Sequence, residues 1–175
     1  MRLGTIVTAA LLTLAAGCSG GAGSQTSSSA ATAATEVAKL DVTLKDLDGK
    51  DVNLASFKGR PLLINFWATY CGPCKEEIPM LIQLADQYKD QGLTVLGISS
   101  DDTAKQMKPF VAEYKMTYPV LVGVDNDAFL EAYDAQVSIP RTWLIRRDGT
   151  VAAKSIGPNT REWFETRLRE LVKSE

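Results

Sequence analysis

The sequence contains no histidine. That absence removes Ser–His and Cys–His catalytic pairs, and it removes imidazole as a metal ligand. Cysteine is scarce, with three residues in 175. Excess charge of either sign is missing too, the formal net charge being −2. No basic patch stands out, so a nucleic-acid partner is not expected. A bilayer-spanning helix takes roughly 20 apolar residues. The uncharged, largely apolar stretch from Leu3 to Ala16 is shorter than that. What is present, 45% hydrophobic residues, suffices for one domain with a real core and not obviously for two.

The N-terminus reads as an export signal. Arg2 supplies a short positive region, and Leu3 to Ala16 supplies the apolar region. Leu14-Ala15-Ala16-Gly17-Cys18 is similar to the lipobox at which a lipoprotein signal is cut before the lipid-carrying cysteine. Ala15 stands where that motif usually has Leu, so an ordinary secretory signal with an incidental cysteine is the other reading. Either one takes the protein out of the cytoplasm. Ser19 to Ala38 is built mainly of Ser, Gly, Ala, Thr and Gln and cannot bury a core. Coil scaling gives such a tether a span of about 25 Å. The expected organisation is a signal peptide over residues 1–17, lipidated Cys18 with a flexible linker over 18–38, and a folded domain over 39–175.

From Leu40 the pattern changes. Val42 and Leu44 alternate with polar residues, Asp48-Gly49 makes a turn, and Val52 and Leu54 alternate again, which predicts a β-hairpin. Leu62 to Trp67 is a nearly continuous apolar run, as expected of a central strand covered on both faces. Ile78, Leu81, Ile82, Ala85 and Tyr88 recur at helical spacing up to Gly92, with Pro79 expected to bend that helix or lie near its start. Further strands are expected over 93–99, 118–122, 142–145 and 151–156. Helical segments are expected around Met107 to Tyr114, over 127–134, and from Thr160, a suitable N-cap, to Val172. The class is α/β with a mixed sheet.

Cys71-Gly72-Pro73-Cys74 falls where the central strand gives way to a helix. The unpaired N–H groups and positive dipole end at a helix start favour thiolate over thiol. Cys71, the outer cysteine, is expected to attack a substrate disulfide. Cys74, one turn later, then displaces the substrate. A purely structural disulfide closing so short a loop would stabilise by only about 2 kcal/mol. A zinc site would need two more ligands, and the chain has no second cysteine pair. No metal and no cofactor is expected beyond the Cys71–Cys74 disulfide itself.

The run Leu63 to Pro79, together with LKDLDGKDVNLASFKGRP upstream and VSIPRTWLIRRDGTV downstream, resembles the TlpA/ResA-like branch of the thioredoxin superfamily over roughly residues 41 to 172. The resemblance implies a thioredoxin-like fold: a central mixed β-sheet flanked by helices, with an N-terminal β-hairpin and an inserted strand–helix segment between Ser99 and Val137. It implies that Trp67, Tyr70, Gly72 and Pro73 frame the redox pair. It implies a cis peptide at Pro140, beside which substrate binds as an added strand. Asn65 takes the place where cytoplasmic thioredoxins keep a buried Asp, so that acid is missing. Glu77 matches an acidic residue close to the pair that would assist proton transfer; on its own it equally suits a solvated helix position. Tyr70 stands where the family commonly has Trp, and it keeps an aromatic surface there.

With Gly-Pro between the cysteines and no histidine, few groups are available to stabilise the thiolate. A less stabilised thiolate makes a more reducing couple, so a reductase is expected. Its expected partners are protein disulfides, which by resemblance include apocytochrome c haem-site cysteines, and a membrane electron donor that the sequence does not name. The expected state is a monomer held by a lipid anchor and facing the periplasm or extracytoplasmic space. Two other activities share parts of the pattern. A thiol peroxidase would place a Pro-x-x-x-Thr run before the attacking cysteine, and a copper chaperone usually adds a histidine; neither feature is present.

Overall fold

A computed structural model describes residues 35–173. The N-terminal signal, Cys18 and most of the linker lie outside the described residues. Backbone pairing begins ahead of residue 39. Val37 bridges Thr150, Ala38 N–H donates to Gly149 at 2.9 Å, and Val151 N–H donates to Glu36 at 2.8 Å. Residues 36–38 thus join the folded domain, because their backbone groups find partners at the β-turn and strand start around Thr150.

The hairpin forms as β1, Thr43–Asp46, and β2, Asp51–Asn53. It ends earlier than alternation suggests. Asn53 accepts the Ala55 N–H at 2.8 Å and starts a 3-10 turn, Leu54–Phe57, so Leu54 is buried as the first residue of a helix turn and not as a strand residue. The remaining strands are β3, Leu62–Trp67; β4, Thr94–Ser99; β5, Val120–Val122; β6, Arg141–Ile145; and β7, Val151–Ile156. The helices are α1, Gly72–Tyr88; α2, Ala104–Tyr114; α3, Asp127–Ala132; and α4, Arg161–Leu171. Pro79 and Pro109 sit inside α1 and α2 at exposed positions, and both helices continue through them. Thr160 caps α4 by accepting the Trp163 N–H at 3.2 Å.

One seven-stranded mixed sheet runs β2-β1-β5-β4-β3-β6-β7, with β3, β4 and β5 parallel and the other pairings antiparallel. The expected inserted segment is β5 and α3, with β5 wedged between β4 and the hairpin. Strand β3 is buried at all six positions, which is why its sequence is a continuous apolar run rather than an alternation. Its side chains still divide by face. Leu63 and Trp67 join Cys74, Ile78, Leu81, Phe164 and Leu168 in one core cluster. Ile64 and Phe66 join Leu96, Ile98, Phe129, Tyr133 and Trp143 in the other. Burying each such side chain contributes about 1.5–3 kcal/mol. Among the described residues no helix is long and apolar enough to cross a membrane.

Candidate active site

Strand β3 ends at Trp67, and the next turn delivers Cys71 to the N-cap of α1. Cys71 has extended backbone angles, and its Sγ accepts the Cys74 N–H at 3.2 Å. Pro73 sits in the first turn, where its missing N–H costs nothing. Cys71 and Cys74 are joined as a disulfide, with Cα atoms 5.3 Å apart. Cys71 retains 6% exposure and Cys74 none, so a partner's sulfur meets the first cysteine and not the second. Gly72 and Pro73 are exposed between them.

The loop before Cys71 is tied down from β4. Asp102 is buried and accepts from Thr69 N–H and Thr69 Oγ1, each at 2.7 Å, and from Ser99 Oγ at 2.8 Å. Ser100 N–H donates to Trp67 O at 3.1 Å. Tyr70, two-thirds exposed, donates its hydroxyl to Asp101 Oδ2 at 2.5 Å. That hydrogen bond, with lesser help from burial and the Asp101 and Asp102 charges, pushes the phenol up to about 12. Trp67 is fully buried and stacks on Phe110 at 5.0 Å, fixing the strand end from which the loop departs.

Glu77 lies one turn after Cys74 and faces the core, not solvent. Asn65 Nδ2 donates to its Oε2 at 2.9 Å, and Asn159 N–H donates to its Oε1 at 2.9 Å. Asn65 Nδ2 also donates to Thr142 Oγ1 at 3.2 Å. Burial raises the carboxyl's pKa, and the donors from Asn159 and Asn65 oppose that rise without cancelling it. The acid missing from β3 at Asn65 is therefore matched by an acid reaching the same spot from α1.

Pro140 is buried and follows a cis peptide bond from Ile139. It immediately precedes β6, whose Arg141 pairs with Phe66 of β3. The cis-proline turn and the disulfide thus stand at the same end of the sheet. Among the described residues no group of three His, Cys, Asp or Glu side chains is placed to hold a metal ion. The residues that sequence patterns did not single out are Asn159, Asp101 and Asp102. Their bonds span 82 residues to Glu77 and 31 and 33 residues to Tyr70 and Thr69, distances over which no periodicity speaks. The local trace they leave is modest: Asn159 sits in a Gly-Pro-Asn-Thr helix lead-in, and Asp101-Asp102 follow a strand end.

The family model described as Redoxin matches residues 29–171. A thiol-disulfide oxidoreductase ResA from Bacillus anthracis is 32% identical over 127 residues, covering 73% of this chain and 72% of the relative. A thioredoxin-like protein YneN from Bacillus subtilis (strain 168) is 32% identical over 131 residues, covering 73% and 75%. Among solved structures, a thiol:disulfide interchange protein of the thioredoxin family from Chlorobium tepidum TLS superposes with a TM-score of 0.70 at 26% identity, over 81% of this chain and 99% of that one. A secreted Mycobacterium tuberculosis disulfide oxidoreductase, described as homologous to E. coli DsbE, superposes with a TM-score of 0.67 at 26% identity, over 75% and 97%.

Proposed function

The chain belongs to the Redoxin family, as a ResA-like thiol–disulfide oxidoreductase of the thioredoxin superfamily, and on that footing we propose that it reduces protein disulfides outside the cytoplasm. The observation that carries the direction is the sparse support for a Cys71 thiolate. In the disulfide form one hydrogen bond among the described residues reaches Cys71 Sγ, from Cys74 N–H at 3.2 Å, and no side chain donates to it. A thiolate with few donors is poorly stabilised, and that favours the oxidised form of the enzyme and the reduced form of its substrate.

In the reduced enzyme Cys71 attacks a substrate disulfide as thiolate. One new S–S bond forms, the substrate's own S–S bond breaks, and its released sulfur takes up a proton. Cys74 then attacks Cys71 Sγ, and the second substrate sulfur departs. Two electrons pass from the dithiol to the substrate, and the enzyme is left as the disulfide described above. Cys74 is fully buried, so its proton needs a nearby acceptor. Glu77 is that acceptor: a carboxyl raised by burial binds a proton more readily than an ordinary one. Pro140 leaves the Ser138-Ile139 backbone to pair with the substrate chain, and Tyr70 gives its neighbours an aromatic surface. Apocytochrome c cysteines are a fitting substrate class, and a membrane thiol donor restores the dithiol. Cys18 carries the anchor, and the segment between it and Glu36 sets its reach.

Trapping tests this reading. Cys74→Ser should accumulate mixed disulfides between Cys71 and extracytoplasmic proteins, while Cys71→Ser should trap none. Equal trapping by both variants contradicts the assigned order.

A further inference from the structure

A buried guanidinium on the Phe66 face of the sheet, next in the chain to Pro140, lacks part of its complement. Arg141, the residue after Pro140, is 7% exposed. Its Nη2 donates to Asp134 Oδ2 at 3.2 Å, but its Nη1 is buried with no partner among the described residues. Arginine carries five N–H donors and cannot shed its charge. Its counter-ion Asp134 is itself more than half exposed, so water competes for that carboxylate. The cation is thus largely desolvated but only partly compensated, a costly arrangement that a second anion would relieve.

The surroundings leave room for one. Arg141, Lys154, Ser155 and Ile156 line a cleft of about 300 Å³. Ile156 pairs directly with Arg141 across β6 and β7, so both side chains stand on the same sheet face. Ile156 is 65% exposed, so it can yield to an incoming group. Lys154 is held over the Trp143 ring at 4.6 Å and paired with Glu36 at 2.9 Å. Both cations already have one counter-ion, so attraction at long range is small and recognition rests on the short contact to Nη1.

We propose that this cleft is a substrate subsite, in which Arg141 Nη1 binds a carboxylate of the disulfide-bearing polypeptide, an Asp or Glu near the reactive cysteine. Arg141 lies beside Phe66, five residues before Cys71, and an extended chain covers at most about 18 Å in five residues. With the step of about 5 Å between paired strands included, the acidic residue sits within roughly seven positions of the substrate cysteine. Arg141 touches no reacting atom, so the contact lowers KM and leaves kcat alone. A carboxylate is favoured over a neutral acceptor because charge-assisted bonds to guanidinium are roughly twice as strong.

The inference rests on the reductase reading above, and the test separates the two. Two synthetic peptides carry one cysteine as a mixed disulfide with a reporter thiol; one has Glu three residues from it and the other Gln. The reduced domain should turn over the Glu peptide with about tenfold higher kcat/KM, expressed in KM. In Arg141→Gln that ratio should fall to about one. The ratio is taken within one protein preparation, so partial unfolding of the variant does not affect it. Equal kcat/KM for both peptides in the unaltered protein, or a ratio unchanged in Arg141→Gln, overturns the subsite and leaves the reductase reading intact. Failure to reduce either peptide overturns the reductase reading instead.

Discussion

Asn65 Nδ2 and Glu77 Oε2 are joined by a 2.9 Å hydrogen bond that pins α1 to β3 one helical turn after Cys74. Both residues are almost fully buried. The bond keeps a carboxyl close to the inner cysteine without the aspartate that cytoplasmic thioredoxins keep on the strand.

Because burial raises the Glu77 pKa, folding favours its protonated form. Stability from that source is complete below the pKa of an unfolded Glu and is lost as pH rises through the unfolded value towards the raised folded one. Glu77→Gln removes the ionisation. Relative to the unaltered protein, the variant's melting temperature should rise as pH goes from 4 to 8, on top of a pH-independent offset from the acceptor that Gln lacks towards Asn65 or Asn159. A melting difference that does not change with pH contradicts the assignment.

The same substitution should slow turnover at the resolving step. With Glu77→Gln, release of substrate from the mixed disulfide should fall about 10²-fold or more, the usual size of a general acid–base contribution. Formation of the mixed disulfide should stay within a few-fold. Rapid-quench kinetics separates the two steps, and equal slowing of both contradicts a role at Cys74.

Asp102 holds the loop ahead of Cys71 through Thr69 and Ser99 at 2.7–2.8 Å. Asp102→Ala strands those donors in a buried place and should destabilise by about 2–4 kcal/mol in urea titration. A loss below about 0.5 kcal/mol, the level of an inert surface change, contradicts the contact.

Tyr118 gives the opposite case. Its buried hydroxyl has no partner among the described residues. Tyr118→Phe should leave stability unchanged or raise it, since an unpaired buried hydroxyl contributes no bond and carries a desolvation penalty. Gly97→Ala should destabilise by about 1–3 kcal/mol, because the new methyl group meets Tyr118 Cε2 at 2.9 Å and Trp67 Nε1 at 3.1 Å. Thermal melts of both variants test these signs.

What the sequence discloses is local. The β3 run, the Cys71 helix start and the Thr160 cap are short patterns whose physics lies within a few residues, and each appears where its pattern lies. The hairpin end is a partial exception: Leu54 continues an alternation, but the Asn53 side chain captures the Ala55 N–H and turns the chain. On α1 the apolar spacing omits Glu77, because a count of hydrophobic residues skips a carboxylate even when it faces the core. Its burial depends on Asn65 and Asn159, which are 12 and 82 residues away. Arg141 follows the same logic: in the sequence it stands just ahead of the strand expected over 142–145, and only the Asp134 turn and β7 make it a buried cation.

The redox midpoint of the Cys71–Cys74 pair, equilibrated against glutathione, tests the central claim most directly. The sparse support for the Cys71 thiolate predicts a reducing couple, with a midpoint below about −200 mV. A midpoint near −120 mV, on the order of a strong periplasmic oxidant's, would contradict it and make the protein a donor of disulfides.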